Sequence, residues 1–535
     1  VQTCALPISM IEKMNNFVNA SLTDLYQLTM TYSYWKLGRH NDIATFDVFF
    51  RKNPFEGEFT VFAGLENVLY LLKTFKFSKD HIDYLKEQMP MCEPEFFDYL
   101  STLDASCLTV YTMKEGCLIF PHEPIIRVEG PIAVCQLLET PLLCMVNFAS
   151  LITTNAARHR IAVGDKIGLS EFGLRRAQGP DGGMTASKYS YLGGFNSTSN
   201  VQAGLLYNIP ISGTHAHSYV LSFNSLKDIK NPMLNGVNLV EEALKVQREN
   251  NWPEARESEL AAFIAYGLSF PKACLCLIDT FDVLKSGLPN FICVAVAMYR
   301  AGYKALGIRI DSGDLAYLSR MIKKEYIAME AKYNIPFSSM AIVASNDINV
   351  EILYALNKQD HQITSFGIGT NLVTCQGQPA LGMVFKLADI NGSPRMKLSE
   401  DPGKTTTPGK KKVYRLYGRE GYPILDLVAL KSEEAPKVGE KVLCMHIHNP
   451  KKRCYCTPSV VEELLVCVWE KDKGIVYDLP PLQESREYVL KQLKQAREDH
   501  VRYLNPTPYK VSATTRLTEY INDIWTSICP IAELE

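Results

Sequence analysis

Apolar and polar positions follow one rhythm at the start of the chain and another in its middle. Within SLTDLYQLTMTYSYWKLG, Leu22, Leu25, Tyr26, Leu28 and Met30 recur at helical spacing. Ser21 or Thr23 is placed to cap that helix, and Gly38 follows its last turn. The alternating run ATFDVFFR and the run FTVFAGL predict two neighbouring strands. Residues 81–104 read as helical, and CLIFP and PIIRVEG as short strands broken by Pro121, Pro124 and Gly130. A long apolar helix over AVCQLLETPLLCMVNFASLITTNAARHR comes next, kinked or divided at Pro141.

From about residue 167 short apolar runs end in polar residues: IGLSEFG, IPISGTHAH, CLCLIDT, ALGIRIDSGD, AIVASND and SFGIGT. Helical patterns lie between several of them. The clearest is LAYLSRMIKKEYIAMEAKY, where Leu315, Leu318, Ile322, Met329 and Tyr333 roughly share a face. Buried parallel strands are apolar along their length and their crossover helices are amphipathic. Six or more such units predict an α/β fold with a TIM-like β/α barrel rather than an antiparallel sandwich. The segment 395–412, RMKLSEDPGKTTTPGKKK, reads as a mobile basic loop. The last hundred or so residues combine strand-like VLCMHIH with the polar helix LQESREYVLKQLKQAREDHVRYL. No repeat of solenoid length is visible.

Composition narrows the class. The chain has 535 residues, enough for two or three domains, with 47% hydrophobic and 21% charged residues. Its formal net charge of −2 gives no global basic field for nucleic acid. Fifteen cysteines at irregular spacings read as reduced thiols of a cytosolic protein. Cys454 and Cys456 form one CxC and Cys274 and Cys276 another, with no second pair at zinc-ligand spacing, so no zinc site is expected. The KACLCLID pair alternates as strand residues do, which favours core packing. No run of about twenty apolar residues predicts a membrane-spanning helix. The first residues carry neither a basic cluster nor a long apolar run, so no secretory signal is expected, and Met10 reads as a possible start with Val1 to Ser9 outside the fold argument.

Catalytic groups collect at strand C-termini in a β/α barrel. Those ends carry His215 and His217, Asp279 and Thr280, Arg309 and Asp311, Asn346 and Asp347, and Gly367 to Thr370. Gly367 and Gly369 let backbone N–H groups approach a phosphate, with the Thr370 hydroxyl beside them; a plain tight turn would look the same. Arg309 and Asp311, two apart, share a strand face. They suit an anionic ligand and a sugar hydroxyl or metal, or else an internal ion pair. Asn346 and Asp347 could hold a ribose diol, although Asp347 also fits a helix cap. His215 and His217 also point one way, as base, ligand, phosphoryl acceptor or satisfied core histidines. Arg175 and Arg176 suit phosphate or carboxylate, or a solvated surface. Lysines 397, 404, 410, 411 and 412 would contact a polyphosphate if their loop folds over a site, and are otherwise solvated.

The order of these signals adds a resemblance. TDLYQLTM, FFRKNPF, LLETPLLC, GLRRAQGPDGG, GTHAHS, GIRIDSGD, SND, GIGT and RMKLSEDPGK together resemble the nicotinate phosphoribosyltransferase family over nearly all of the chain from Leu22. The resemblance implies an irregular β/α barrel of the type II phosphoribosyltransferase kind with an additional α/β domain built from N-terminal and C-terminal segments. Expected boundaries are 20–150 for the N-terminal domain, completed by about 380–435, then 151–380 for the barrel and 436–535 for a C-terminal region. It also implies a homodimer with shared active sites. The reaction would take nicotinate, 5-phosphoribosyl-1-pyrophosphate, ATP and water to nicotinate mononucleotide, pyrophosphate, ADP and phosphate, with Mg2+, feeding NAD synthesis.

Residue roles implied by the resemblance follow motif by motif. His217 is the phosphohistidine, and His215 the less favoured acceptor. Tyr26 stacks on the pyridine from the partner subunit, with Phe172 opposite and Arg175 beside it. Arg309 and Asp311 hold the pyridine and ribose region, with Thr214 and Asn346 as further substrate contacts. Gly367, Gly369 and Thr370 bind the 5-phosphate, and Arg51 with the lysines of 397–412, Lys397 and Lys404 among them, reach phosphates across the dimer. Nicotinamide-using relatives carry an aspartate that the stretch GGFNSTSN lacks. Ser197, Thr198 and Ser199 there favour the acid, since a carboxylate would repel nicotinate. Nicotinamide phosphoribosyltransferase activity, or a catalytically silent nucleotide-binding relative, are the competing expectations. The metal ligands are not assigned, and the expected setting is the cytosol, without nucleic-acid or membrane partners.

Overall fold

The computed structural model describes residues 17–399, 404–447 and 449–529. No helix among them is long and apolar enough to cross a membrane. Two compact units form, one from the chain up to Ala157 together with the chain from Gly377, the other from Arg158–Gln376.

The first unit opens with the helix Leu25–Lys36. Its cap is Asp24, one residue past the expected Thr23, and the Asp24 N–H donates to Gln27 Oε1 at 3.1 Å. Gly38 takes φ +69° after its end, where a side chain would be strained. The buried face is Gln27, Leu28 and Thr31, whereas Leu25 and Tyr26 are 62% and 47% exposed. Apolar spacing alone misplaces that face. The Gln27 amide donates to the Gln136 carbonyl at 2.6 Å, so a polar side chain with a buried partner takes the inner position.

Strand Ile43–Phe49 runs antiparallel between Ile126–Pro131 and Val384–Ile390 in a seven-stranded sheet. The run FTVFAGL does not pair with it. Only Thr60–Val61 is extended, and it pairs with Leu118–Ile119. The long apolar helix divides as expected into Ile132–Leu137 and Glu139–Val163, with Pro141 in the first turn of the second, where its missing N–H costs nothing. A six-stranded sheet contains Lys411–Tyr417 and Pro423–Leu430, and also Val442–His446, Asn449–Cys456, Val460–Glu463 and Lys510–Ala513. The chain beyond 436 adds strands to the sheets of this unit.

The same sheet redirects part of the expected basic loop. Residues 400–403 lie outside the described residues, and Lys411 begins a strand. Its side chain, 2% exposed, pairs with Asp47 at 2.7 Å, while Lys410 pairs with Glu129 at 2.9 Å and Lys412 lies 3.7 Å from Glu463. These three lysines each face a carboxylate of their own fold.

Across the ladder, Arg415 grips buried Asp426 through Nε and Nη2 at 2.9 and 2.7 Å. Arg415 Nη2 also donates to the Leu118 carbonyl at 2.7 Å, and the Tyr509 hydroxyl donates to Asp426 at 3.0 Å. Buried Glu123 stands in the same cluster, and burial, reinforced by the Asp426 charge, pushes its carboxyl well above the usual range. Arg415→Met leaves that acidic pair without its cation. We expect about 3–5 kcal/mol of destabilisation, read as a lower thermal unfolding midpoint, with much of it recovered in Arg415→Met/Asp426→Leu. An unchanged midpoint in the single variant would show the pair to be inert.

The second unit is built on six parallel strands in the order Leu275–Leu277, Gly307–Ile310, Ala341–Ala344, Ser365–Ile368, Gly168–Glu171 and Ser197–Thr198. Five of them are the apolar runs read from sequence. The sixth run, IPISGTHAH, contributes a single parallel bridge from Ile211 to Thr198. Helix Leu315–Tyr333 is capped by Asp314 and buries Leu315, Ile322 and Met329 as predicted, together with Ala316, Ser319 and Tyr326. Gly307 has φ +150°, and a Cβ there would stand 2.1 Å from the Ala341 carbonyl oxygen, so the close approach of these strands requires glycine.

Candidate active site

Three neighbouring parallel strands end in Asp279, Asp311 and Ser345, and their register brings these side chains together. Asp279 is 2% exposed. Its Oδ2 accepts from the Asp311 N–H at 3.0 Å and the Ser312 hydroxyl at 2.5 Å, and its buried Oδ1 has no hydrogen-bond partner. Arg309 Nε donates to Ser345 Oγ at 2.7 Å, and that hydroxyl donates to Asp311 Oδ1 at 2.5 Å. Arg309 Nη2 lies 3.3 Å from the same carboxylate oxygen, and Nη1 reaches Thr214 Oγ1 at 3.4 Å. The internal ion pair and the ligand-facing cation are thus one arrangement: Arg309 is held by Asp311 and Ser345 while its guanidinium carbon stands 5.4 Å from the Phe172 ring centroid.

His217 opens the short helix His217–Leu221. Its Nδ1 is 3.1 Å from the Thr280 hydroxyl, and its Nε2 is 3.9 Å from Asp279 Oδ1 and 3.8 Å from Asp311 Oδ2. Two carboxylates on one side favour the proton on Nε2, which leaves the Nδ1 lone pair to accept from Thr280. His215 is different. Its Nε2 accepts the Leu277 N–H at 3.2 Å, and its ring lies among Tyr219, Phe263 and Tyr266. That backbone bond needs the neutral ring, and burial lowers its pKa to about 4.

Phe172 also explains Gly367. A Cβ at 367 would lie 2.3 Å from the Phe172 ring, so this glycine is required by packing. Gly369 precedes the short helix Thr370–Thr374, and Thr370 is half-buried. Arg175 and Arg176 sit exposed on the turn Leu174–Arg176. Ser197 joins Ser170 and Ser212, which its sequence gives no reason to suspect, with Oγ–Oγ distances of 2.9, 2.6 and 3.2 Å. Ser199 is exposed. Thr198 donates to buried Glu171 at 2.5 Å. That acid does adjoin the GGFNSTSN stretch, but it also accepts from the Gly173 N–H and from Ser187 at 2.8 Å, so its charge is absorbed. Asn346 is exposed beside Ser345, and Asp347 holds φ +39°. The next helix is capped by Asn349, not Asp347: Asn349 Oδ1 accepts the Ile352 N–H at 2.8 Å. Ser345 went unread because a serine after an apolar run carries no signal of its own.

Tyr26, Arg51, Lys397 and Lys404 belong to the other unit. Tyr26 presents an exposed ring, the Arg51 guanidinium carbon lies 5.6 Å from the Phe49 centroid, and Lys397 and Lys404 are exposed.

His215 sets a pH dependence. Folded His215 titrates near 4, below its ordinary 6.5, so the unfolded chain binds the proton first as pH falls. Its contribution to stability is full above about pH 6.5 and is lost as pH falls toward 4. Denaturant midpoints at pH 7 and pH 5 should therefore differ less in His215→Gln than in the unaltered chain; equal differences would remove His215 as a cause.

Three family models cover the chain: the nicotinate phosphoribosyltransferase N-terminal domain over residues 22–147, the nicotinate phosphoribosyltransferase family over 167–422, and its C-terminal domain over 410–521. The nicotinate phosphoribosyltransferase of Dictyostelium discoideum is 51% identical, over 98% of this chain and 91% of that protein. The Homo sapiens protein of the same name is 43% identical, over 94% and 96%. The crystal structure of human nicotinic acid phosphoribosyltransferase superposes with a TM-score of 0.84 at 41% identity, covering 95% of this chain and all of that one. Nicotinate-nucleotide pyrophosphorylase from Pyrococcus furiosus, at 20% identity and TM-score 0.61, shares the fold. The chain belongs to the nicotinate phosphoribosyltransferase family.

Proposed function

We propose that this chain joins nicotinate to the phosphoribosyl group of 5-phosphoribosyl-1-pyrophosphate, forming nicotinate mononucleotide and pyrophosphate, with hydrolysis of ATP coupled to the transfer. The observation that carries the reading is the placement of His217 between Thr280 and the Asp279–Asp311 carboxylates, beside Arg309 and Phe172. Full-length identity to relatives named for this activity supports it.

The chemistry follows from the tautomer. The His217 Nδ1 lone pair, once it exchanges its Thr280 hydrogen bond for the nucleotide, attacks the γ-phosphorus of ATP, the N–P bond forms, the bond to the bridging oxygen breaks, and ADP leaves. The ring becomes cationic with its proton on Nε2, and Asp279 and Asp311 offset that charge. Hydrolysis returns neutral histidine and phosphate. In the transfer itself the pyridine nitrogen of nicotinate attacks the ribose carbon as pyrophosphate departs. Arg309 stacked on Phe172 is suited to position a flat, anionic ring. Thr214, Arg175, Asn346, Gly367, Gly369 and Thr370 line the same reading as substrate contacts, the last three toward the 5-phosphate.

Mg2+ fits the donor set. Among the described residues no group of three or more acidic, histidine or cysteine side chains could enclose a metal. Mg2+ takes one or two carboxylates and completes its shell with phosphate oxygens and water. The unpartnered Asp279 Oδ1 and the neighbouring Asp311 Oδ2 would hold it, and it would neutralise leaving phosphate charge.

The parallel sheet is the wall of an irregular β/α barrel in this reading. Supporting it, Thr198 exchanges bonds of 3.0 Å with Pro210 and Ser212, while Leu277 on the opposite outer strand donates to His215. Residues 210–215 thereby link the two sheet edges. The homodimer belongs here too, supported by exposed Leu25 and Tyr26, with Tyr26, Arg51, Lys397 and Lys404 acting on substrate from the partner. The described cysteines form no disulfide, which supports a cytosolic setting. The Ser170–Ser197–Ser212 hydroxyls favour the acid over nicotinamide, because they donate to a carboxylate.

The deciding measurement is nicotinate mononucleotide formation with and without ATP, with nicotinamide as competitor. A higher kcat/KM for nicotinamide would overturn the substrate assignment. His217→Ala should retain the fold and a basal transfer rate while losing ATP stimulation and the acid-labile phosphoryl label. Full stimulation in that variant would reject the phosphohistidine. Gly367→Ala should push Phe172 off Arg309 and raise the KM for nicotinate about tenfold or more, with a smaller effect on the KM for 5-phosphoribosyl-1-pyrophosphate. Equal effects on both would place Phe172 away from the pyridine.

A further inference from the structure

The first unit contains a cavity of about 460 Å³ that the catalytic reading does not use. Its volume is that of a small-ligand site. One wall is the aromatic ring of Tyr509 with Pro508 and Val511 beside it, and Pro121 and Ile447 add further apolar surface. The Tyr509 ring is fixed in place. It stacks on Phe120 with centroids 3.7 Å apart and planes 16° from parallel, and its hydroxyl bonds buried Asp426. The flat surface is therefore built before any ligand arrives.

The cavity also carries charge of one sign. Lys452, Arg453 and Lys510 line it, and the single acid among its lining residues is Glu58. Burial raises the Glu58 carboxyl above its ordinary value. His122 and His446 add ring nitrogens to the lining. The cations come from two elements: Lys452 and Arg453 from the strand Asn449–Cys456, and Lys510 from the strand Lys510–Ala513. In a chain of net charge −2 this is a local departure from balance.

We infer that this cavity binds a phosphorylated aromatic compound of the nucleoside monophosphate class, the base against Tyr509 and the phosphate among Lys452, Arg453 and Lys510. An apolar wall alone would take an uncharged aromatic, and three cations alone would take inorganic phosphate. The two together select a molecule with a flat apolar body and an anionic end. The inference stands apart from the catalytic reading, because none of the lining residues is given a catalytic or substrate role in it.

The test is calorimetric titration of the full chain with adenosine monophosphate, adenosine and inorganic phosphate. Binding of the monophosphate should persist in Arg309→Ala, which disables the other unit. It should weaken about tenfold or more in Lys452→Glu/Arg453→Glu/Lys510→Glu, whose altered residues are exposed. Lys510→Glu alone should give a smaller loss in the same direction. Adenosine and phosphate should each bind about tenfold more weakly than the monophosphate. The inference is overturned if the monophosphate does not bind at about 1 mM, if the triple variant binds it unchanged, if only Arg309→Ala loses it, or if phosphate alone binds as tightly.

Discussion

The carboxylate of Asp279 is the constraint on which the second unit's chemistry depends. It is almost fully buried, and burying a charge is costly unless hydrogen bonds replace water. One oxygen meets that demand with the Asp311 N–H and the Ser312 hydroxyl. Those bonds fix the first turn after the neighbouring strand, and so fix where Asp311 itself points. Asp311 then orders Ser345 and Arg309. The other oxygen is left to face His217. A single buried acid thus sets the backbone of one strand end, the side chains there and at the next strand, and the electrostatic surroundings of an imidazole.

Parallel strands make this economical. Their evenly spaced ladders bring successive C-termini to one edge, so residues tens of positions apart need no special loops to meet. This is why the sequence could be read so far. Runs such as CLCLIDT and ALGIRIDSGD are apolar until their last residues, and the polar residue that ends each is the one that reaches the site. Asp279, Arg309 and Asp311 were visible for that reason. Ser345 and Ser212 were not, because a hydroxyl after an apolar run is common and only its partners give it meaning. IPISGTHAH looked like a strand but supplies a linking segment, since His215 trades a ladder bond for a ring nitrogen that accepts Leu277 N–H.

The first unit shows where periodicity fails. Leu25 and Tyr26 fit a buried helical stripe, yet Gln27 and Thr31 are inside, because Gln27 satisfies a buried carbonyl that leucine would leave bare. Lys410, Lys411 and Lys412 read as loop cations, yet Asp47, Glu129 and Glu463 meet them within the fold. Charge runs and apolar stripes are local patterns, whereas the partners that decide burial come from segments far away in the chain. The same holds for Gly367, whose sequence context suggested phosphate binding and whose lack of a side chain is enforced by the Phe172 ring.

In the proposed phosphoryl transfer, two histidines separated by one residue would have different roles because their surroundings differ. His215 is enclosed by aromatic rings and held to a backbone N–H, so a proton on its accepting nitrogen would break a structural bond. His217 is 40% exposed in its side chain, and its Nε2 faces the two carboxylates at 3.9 and 3.8 Å. Attack by an imidazole on phosphorus generates a positive ring at the moment of bond formation. In the proposed step His217, with nearby negative charge and access to solvent, would carry it. The spacing that puts both rings on one side of the chain therefore does not make them equivalent, and the choice between them follows from charge and burial.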